Sequence, residues 1–396
     1  MTEPESRPHT PATRLAHAGR DPQGGAFVNP PVVHASTVLF DSVARMKGKT
    51  ETPARWTYGR RGTPTSEALE SAISDLEGAV GTVLTPSGAS ACGIALMSVL
   101  SAGDHLLVMD SAYAPTRIFC DGVLKRFSVE TSYFDPAIGA GIAALIRPNT
   151  RAVFLEAPGS LTFEMPDVPA IAAVARAHDL VTLIDNTWAT PLFFRPLDHG
   201  VDVSIMAATK YVVGHSDALV GTIACGPRAW KQVKACHGDL GMFTGPDDMY
   251  LALRGLRTMG VRLAHHQKSA MAVAEWFASR PEVSRVLYPA LPSDPGHAIW
   301  KRDFSGASGL FGVVMKGDSD VAVAAFLDGL ELFGLGYSWG GFESLAIPAD
   351  PRSIRTAVPW RAEGALLRFQ IGLEDTDDLI ADLDAGLARW RAALGG

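Results

Sequence analysis

From Glu67 to Lys210 the chain alternates apolar runs of strand length with helical stretches of about a dozen residues. The amphipathic stretch "SEALESAISDLEG" leads into "GTVLTP", and "SGASACGIALMSVLSAGD" leads into "HLLVMD". The series continues through "SVETSYFD", "IAALI", "RAVFLEAP", "VPAIAAVARAHD", "LVTLIDN" and "VDVSIMAAT". A strand that must be followed by a helix before the next strand begins reaches its neighbour by a crossover, which makes parallel pairs. Runs that are apolar on both faces need helices above and below them. The expectation is an α/β domain with a mostly parallel, doubly covered sheet over residues 59–250.

The residues on either side differ in texture. Residues 1–58 are rich in Pro and Gly, as in "DPQGGAFVNPPVVHAST", and read as an extended N-terminal arm that lies on something else. After 250 comes one long helical segment, "DDMYLALRGLRTMGVRLAHHQKSAMAVAEWFASR". It is followed by "VSRVLYP", "GLFGVVMKG" and a terminal helix "DTDDLIADLDAGLARWRAAL", a mixture that predicts a smaller α+β domain over 251–396.

Charged residues are 19% of the 396, below the usual quarter, so more surface than average is expected to be covered, as in an oligomer. The 35 basic and 42 acidic side chains are mixed without blocks, which speaks against nucleic acid as a partner. The segment "MTEPESRPHT" has neither a positive n-region nor an apolar h-region, and no apolar run is long enough to span a bilayer; a cytoplasmic protein without a membrane partner is expected. The four cysteines form no C-x-x-C and read as small buried hydrophobes. The adjacent His265 and His266 point about 100° apart on a helix, so no metal site is expected from them.

Three motifs compete for the chemistry. "GAGIAA" (139–144) matches a dinucleotide fingerprint, but Asp135 and Pro136 interrupt the strand that should run into it. "GYSWG" (336–340) matches a nucleophile elbow around Ser338. No histidine follows His297, however, and Pro348 and Pro351 oppose the helix this motif requires. The third is a pair of strand ends: "LVTLIDN" finishes in Asp185 and "VDVSIMAATK" in Lys210. Carboxyl ends of parallel strands open on one edge, so a single site receives an acid and an amine.

A desolvated lysine loses its proton readily and can then attack an aldehyde carbon, while an aspartate can hold a pyridine nitrogen protonated. Together they form the pair that pyridoxal 5'-phosphate needs. "LTPSGASA" adds a strand, a turn at Gly88 and a helix N-terminus whose amides, Gly88 and Ala89 among them, suit a phosphate; Thr209 adds a hydroxyl. For the acid and amine alone, an ordinary Asp–Lys salt bridge stays open.

"DVSIMAATKYVVGHS" resembles the cofactor-attachment signature of the Cys/Met metabolism family of pyridoxal-phosphate enzymes. "NPPVVHASTVLFD", "YGRRGTPT", "TPSGASA", "SAYAPTR", "FLEAPGS", "IDNTWATP", "GLRTMGVRL", "YSWGGFESL" and "RFQIGLED" have family counterparts in the same order. The resemblance implies the aspartate-aminotransferase-like fold (fold type I) and an amino-acid substrate. It also implies a homotetramer built as a dimer of dimers, with active sites shared between subunits. Trp339, Pro115 and Ser160 stand where γ-acting members carry other residues. They point to the branch that cleaves L-cystathionine by α,β-elimination to homocysteine, pyruvate and ammonia, with γ-elimination, or another carbon–sulfur lyase or synthase reaction of the family, as the alternative. Ala207 departs from the serine common in the family and leaves one phosphate hydroxyl missing.

By the same resemblance, Lys210 is the covalent attachment point and general base, and Tyr113 stacks on the pyridine ring and takes a proton from the incoming amine. Tyr58 and Arg60 reach the phosphate of an adjacent subunit. Arg368, inside the apolar run "LLRFQIG", receives the substrate carboxylate with its planar fork. Ser338 and Trp339 shape the substrate side and help to position Lys210.

Overall fold

The computed structural model describes residues 9–20 and 27–395, so residues 1–8 and 21–26 of the predicted arm lie outside the described residues. The arm is not extended throughout: Pro11–His17 is a helix, α1. Its Leu15 is buried in an apolar cluster with Leu69, Leu253 and Leu256, and Arg14 pairs with Asp75 at 2.8 Å. Leu15, Ala18 and this ion pair seat the segment on the domain, as expected of an arm that lies on something else.

Seven strands form the large sheet: β1 (Gly81–Thr85), β2 (His105–Met109), β3 (Glu130–Phe134), β4 (Thr150–Glu156), β5 (Val181–Asp185), β6 (Val203–Ala207) and β7 (Gly221–Cys225). Their spatial order is β1-β7-β6-β5-β4-β2-β3. The pairs from β6 through β3 are parallel, while β7 runs antiparallel to both of its neighbours. Strands such as β2, with all five residues buried, occur because helices cover both faces. Pro64–Glu77 (α2) starts at a capping box between Thr63 and Ser66 and stops at the left-handed Gly78; Gly88–Val99 (α3) starts at a second box between Ser87 and Ser90. Ala114–Phe119 (α4) and Val168–Ala177 (α5) both carry Pro in the first turn. The "GAGIAA" segment is a 3₁₀ helix, Gly139–Leu145, entered from a loop rather than from a strand, which removes the dinucleotide reading.

Pro246–Ala278 (α6) is a single helix of 33 residues that runs unbroken through residue 250. Its Leu253, Leu256, Met259 and Leu263 pack in one apolar cluster, and Ala270, Val273 and Phe277 in another. That second cluster also holds residues of an antiparallel sheet of β8 (Val283–Leu287), β9 (Leu310–Met315), β10 (Leu345–Ala349) and β11 (Leu366–Gln370), in the order β10-β11-β9-β8, together with the terminal helix α7 (Thr376–Ala393). The long apolar stripe of α6 thus joins the two sheets. A mostly parallel large sheet with a smaller α+β part is what the sequence led us to expect.

Candidate active site

The carboxyl ends of β4, β5 and β6 stop in step. Glu156 is in register with Asp185, and Asp185 with Ile205, two residues before β6 ends. Beyond these ends lies a cavity of about 290 Å³ lined by Gly88, Tyr113, Asp185, Lys210, Ser338 and Arg368, among others. Ala89, Thr209 and Trp339 also line it, so nine of the eleven expected site residues meet in one place.

Lys210 follows the end of β6 and is largely withdrawn from water. Burial, aided by the charge of Arg368 and opposed by Asp185, pulls its ammonium down to about 8. Its Nζ donates to Ser338 Oγ at 2.6 Å and sits 5.4 Å from the centre of the Trp339 ring. Ser338 holds this position at φ +90°, a backbone region costing a non-glycine residue about 1–3 kcal/mol. Gly340, at φ +83°, explains the tight approach: a Cβ there would meet the Lys210 backbone at 3.0 Å. The "GYSWG" serine is therefore the acceptor for a lysine on an irregular loop, not a nucleophile on an elbow.

Asp185 is buried at the far side of the cavity. Its carboxylate accepts from the Thr187 amide at 2.9 Å, from the Thr187 hydroxyl and from Cys92 Sγ at 3.9 Å, yet burial still holds its pKa above the ordinary value. No ion pair joins it to Lys210 among the described residues; the lysine turns to Ser338 instead. The simple salt bridge left open by the sequence is not formed. An amine and an acid face one cavity without neutralising each other.

The opposite wall is built for an anion. The Ser87 hydroxyl takes the Ser90 amide, which leaves the Gly88 and Ala89 amides at the tip of α3 uncapped. Only glycine fits at 88, because a Cβ there would lie 2.4 Å from the Ala207 Cβ. The Thr209 hydroxyl accepts from Val220 N at 3.0 Å and donates to Val220 O at 3.3 Å, where the chain returns into β7. Tyr58 and Arg60 do not line this cavity in their own chain. Tyr58 bridges to Thr37, and Arg60 Nη1 donates to Gly238 O at 2.6 Å on the wall of a different cavity.

On the open side, Arg368 of β11 donates through Nη2 to Ser338 O at 3.0 Å and has no carboxylate partner among the described residues. Burial holds its guanidinium down to about 10. Tyr113, about half exposed, has its hydroxyl pKa raised, first by burial. Its backbone amide donates to Glu156 Oε2 at 2.7 Å. Glu156 and Thr187 were not expected at the site. Burial and the nearby Asp185 push the Glu156 carboxyl well above the usual range, and the Thr187 hydroxyl links Asp185 to the Ala207 amide, which donates to it at 2.8 Å. The sequence signals were an acid at the end of an apolar strand and a threonine two residues after the aspartate, a spacing typical of local side-chain turns.

A cavity with a buried acid that has no ion-pair partner among the described residues, a lysine that burial draws toward its neutral form at its other side and uncapped helix amides fits pyridoxal phosphate in ring nitrogen, aldehyde and phosphate. Residues 12–388 match the profile of the Cys/Met metabolism PLP-dependent enzymes. The chain belongs to this family. It is 48% identical to the cystathionine beta-lyase of Escherichia coli, covering 95% of this chain and 98% of that protein. It is 45% identical to the cystathionine beta-lyase of Salmonella typhimurium, over 95% and 98%. The solved structure of cystathionine gamma synthase from Xanthomonas oryzae, in complex with aminoacrylate and cysteine, superposes with a TM-score of 0.88 at 32% identity, covering 98% of this chain and all of that one. This family member is a PLP-dependent enzyme of fold type I. Among the described residues, no group of metal-ligating side chains accompanies the site, and no helix is long and apolar enough to cross a membrane.

Proposed function

We propose that this enzyme is a carbon–sulfur lyase that cleaves L-cystathionine by α,β-elimination, giving homocysteine, pyruvate and ammonia with the uptake of water. The observation that carries the reading is the lysine held by Ser338 beside an unpaired arginine, across one cavity from an unpaired aspartate. The cystathionine beta-lyase relatives support the choice of bond.

When bound, pyridoxal phosphate supplies an aldehyde carbon for the substrate amine and a protonated ring that spreads the negative charge left at Cα. The residues of the chain do the rest. Asp185, which has no cation of its own, keeps a ring nitrogen protonated. The Gly88 and Ala89 amides hold phosphate at the positive end of α3. Arg368 takes the substrate carboxylate in a two-bond fork. Lys210, already drawn toward its neutral form, removes the proton from Cα and then delivers a proton to the departing sulfur. Ser338 Oγ aims the lysine between those two atoms, and Trp339 closes the substrate side. Tyr113 covers the ring and takes a proton from the incoming amine.

The same reading divides the molecule into an arm (1–58), a cofactor-binding domain (59–250) and a C-terminal domain (251–396). It makes the working form a cytoplasmic tetramer in which Tyr58 and Arg60 serve the phosphate of an adjacent subunit; that neither lines the cavity of its own chain supports this part. The test is product identity from L-cystathionine supplied to the purified holoenzyme. Pyruvate is expected, and 2-oxobutyrate as the sole keto acid would overturn the assignment.

A further inference from the structure

Asp110, immediately after β2, is fully buried and collects six hydrogen bonds on its carboxylate from two separate parts of the chain. Arg117 Nη1, from α4, donates at 2.9 Å. All the other donors come from one irregular segment between β10 and β11: Arg355 Nε at 3.0 Å, the Thr356 amide and hydroxyl, and the Val358 amide at 2.9 Å. Arg355 reaches further, donating through Nη1 to Glu164 Oε1 at 2.7 Å and to Thr162 Oγ1 at 3.2 Å. Arg117 in turn donates to the Thr356 hydroxyl at 3.0 Å and lies 3.5 Å from the centre of the Tyr133 ring. One buried carboxylate, one partly exposed carboxylate and two buried guanidinia thus meet where the large-sheet part and the segment leading to β11 touch.

None of these charged side chains lines the cavity, but each is covalently close to one of its walls. Asp110 and Arg117 bracket Tyr113. Glu164 closes the turn of residues 158–164, where the Gly159 amide donates to its carbonyl at 2.9 Å; Gly159, Ser160 and Leu161 of this turn form another wall. The Arg355 segment runs into β11, which carries Arg368. A buried ionic network adds little stability over apolar packing of the same volume, because desolvation consumes most of the attraction. What it supplies is a single geometry, since the planar forks satisfy fixed acceptors only in one arrangement. The segment of 350–358 has no strand ladder to fix it.

We propose that Asp110 and Arg355 are positioning residues that set the Tyr113 and Ser160 walls in register with Arg368. This rests on the roles proposed above for Tyr113 and Arg368. The experiment compares Arg355→Ala, Asp110→Asn and Arg355→Lys with the parent, all as holoenzymes well below their unfolding temperatures. Visible circular dichroism of the bound cofactor, KM and kcat are the readouts. A wall displaced by about 1 Å costs on the order of 10²-fold, so Arg355→Ala should lose about that much in kcat/KM, mostly through KM, with an altered dichroic band. Arg355→Lys, which keeps one charge and part of the fork, should recover part of both. A folded Arg355→Ala with a lower unfolding temperature but unchanged KM, kcat and dichroism would overturn the proposal. If Arg355→Ala does not fold, Arg355→Lys decides by the same readouts. Dichroism needs no turnover, so failure of the parent to release pyruvate would sink the proposed function and leave this test intact.

Discussion

Replacing Arg368 by methionine should weaken activity and strengthen the fold at the same time. The guanidinium is pulled from its ordinary value to about 10 by burial, and each unit of such a shift is worth about 1.4 kcal/mol. The folded cofactor-free protein therefore carries up to ~3 kcal/mol of uncompensated charge at this position. Against that, the variant loses one hydrogen bond to Ser338 O, worth about 1 kcal/mol. Methionine keeps most of the apolar stem, so the net expectation is a gain of about 1–2 kcal/mol in the cofactor-free protein at neutral pH. Substrate binding moves the other way. Two charge-assisted hydrogen bonds to a carboxylate contribute ~3–6 kcal/mol, a loss of about 10²–10⁴ in kcat/KM. Pyruvate release read against thermal unfolding of the cofactor-free variant measures both signs. A variant that is less stable than the parent and keeps kcat/KM within a few fold would refute the view of Arg368 as a charge waiting for an anion. Arg368→Lys, keeping charge without the fork, should lie between the two in activity.

Ser338 separates strain from function. Ser338→Gly and Ser338→Ala both remove the acceptor for Lys210 and should both lower kcat, but only glycine relieves φ +90°; the Gly variant should be the more stable by about 1 kcal/mol in denaturant unfolding, and equal stabilities would contradict the strain. Lys210 titrates near 8 when folded and at its ordinary value when unfolded. Between these two pH values the unfolded chain binds more protons, so this group makes the cofactor-free protein more stable as pH rises through the window, and Lys210→Met should flatten that slope in a pH series of unfolding. Borohydride trapping of added pyridoxal phosphate should rise through the same midpoint. Shared sites predict complementation: Lys210→Ala and the double variant Tyr58→Ala/Arg60→Ala, each nearly inactive alone, should regain turnover when dissociated and reassembled together. Mixtures no more active than their components would place both residues outside any neighbour's site.

Much of the site was legible because it violates the pattern around it. Lys210, Asp185 and Arg368 are charges set in or at the ends of apolar runs, and Gly88 and Ala89 open a helix after a strand, so local rules located all five. Glu156 obeyed the same rule without being singled out, and its partner, the Tyr113 amide, is a backbone group that no sequence marks. Thr209 lines the cavity, while the bonds of its hydroxyl to Val220 were not legible, because Val220 leads into the antiparallel β7, a strand that crossover logic does not anticipate. The Asp110–Arg355 contact joins residues 245 apart, and no periodicity carries information over that separation. The arm's Leu15 is held by α6, a contact that Pro and Gly content, which describes what a segment does alone, does not specify.

One cavity gathers several charged or amide groups that lack a partner of opposite charge or a cap among the described residues. Among the described residues Arg368 has no anion, Asp185 no cation and Lys210 no carboxylate, and the amides at the tip of α3 are uncapped, although burial penalises each of them. The Asp110 cluster shows that the same fold can satisfy buried charge fully when it needs to: its carboxylate is held down to about 2, by amides and a guanidinium that outweigh its desolvation. The contrast argues that the cavity's unsatisfied groups are complementary to something outside the chain, with an anion at one end, a basic ring nitrogen at another and a carboxylate at the mouth. One ligand with a phosphate, a pyridine and a bound amino acid supplies all three.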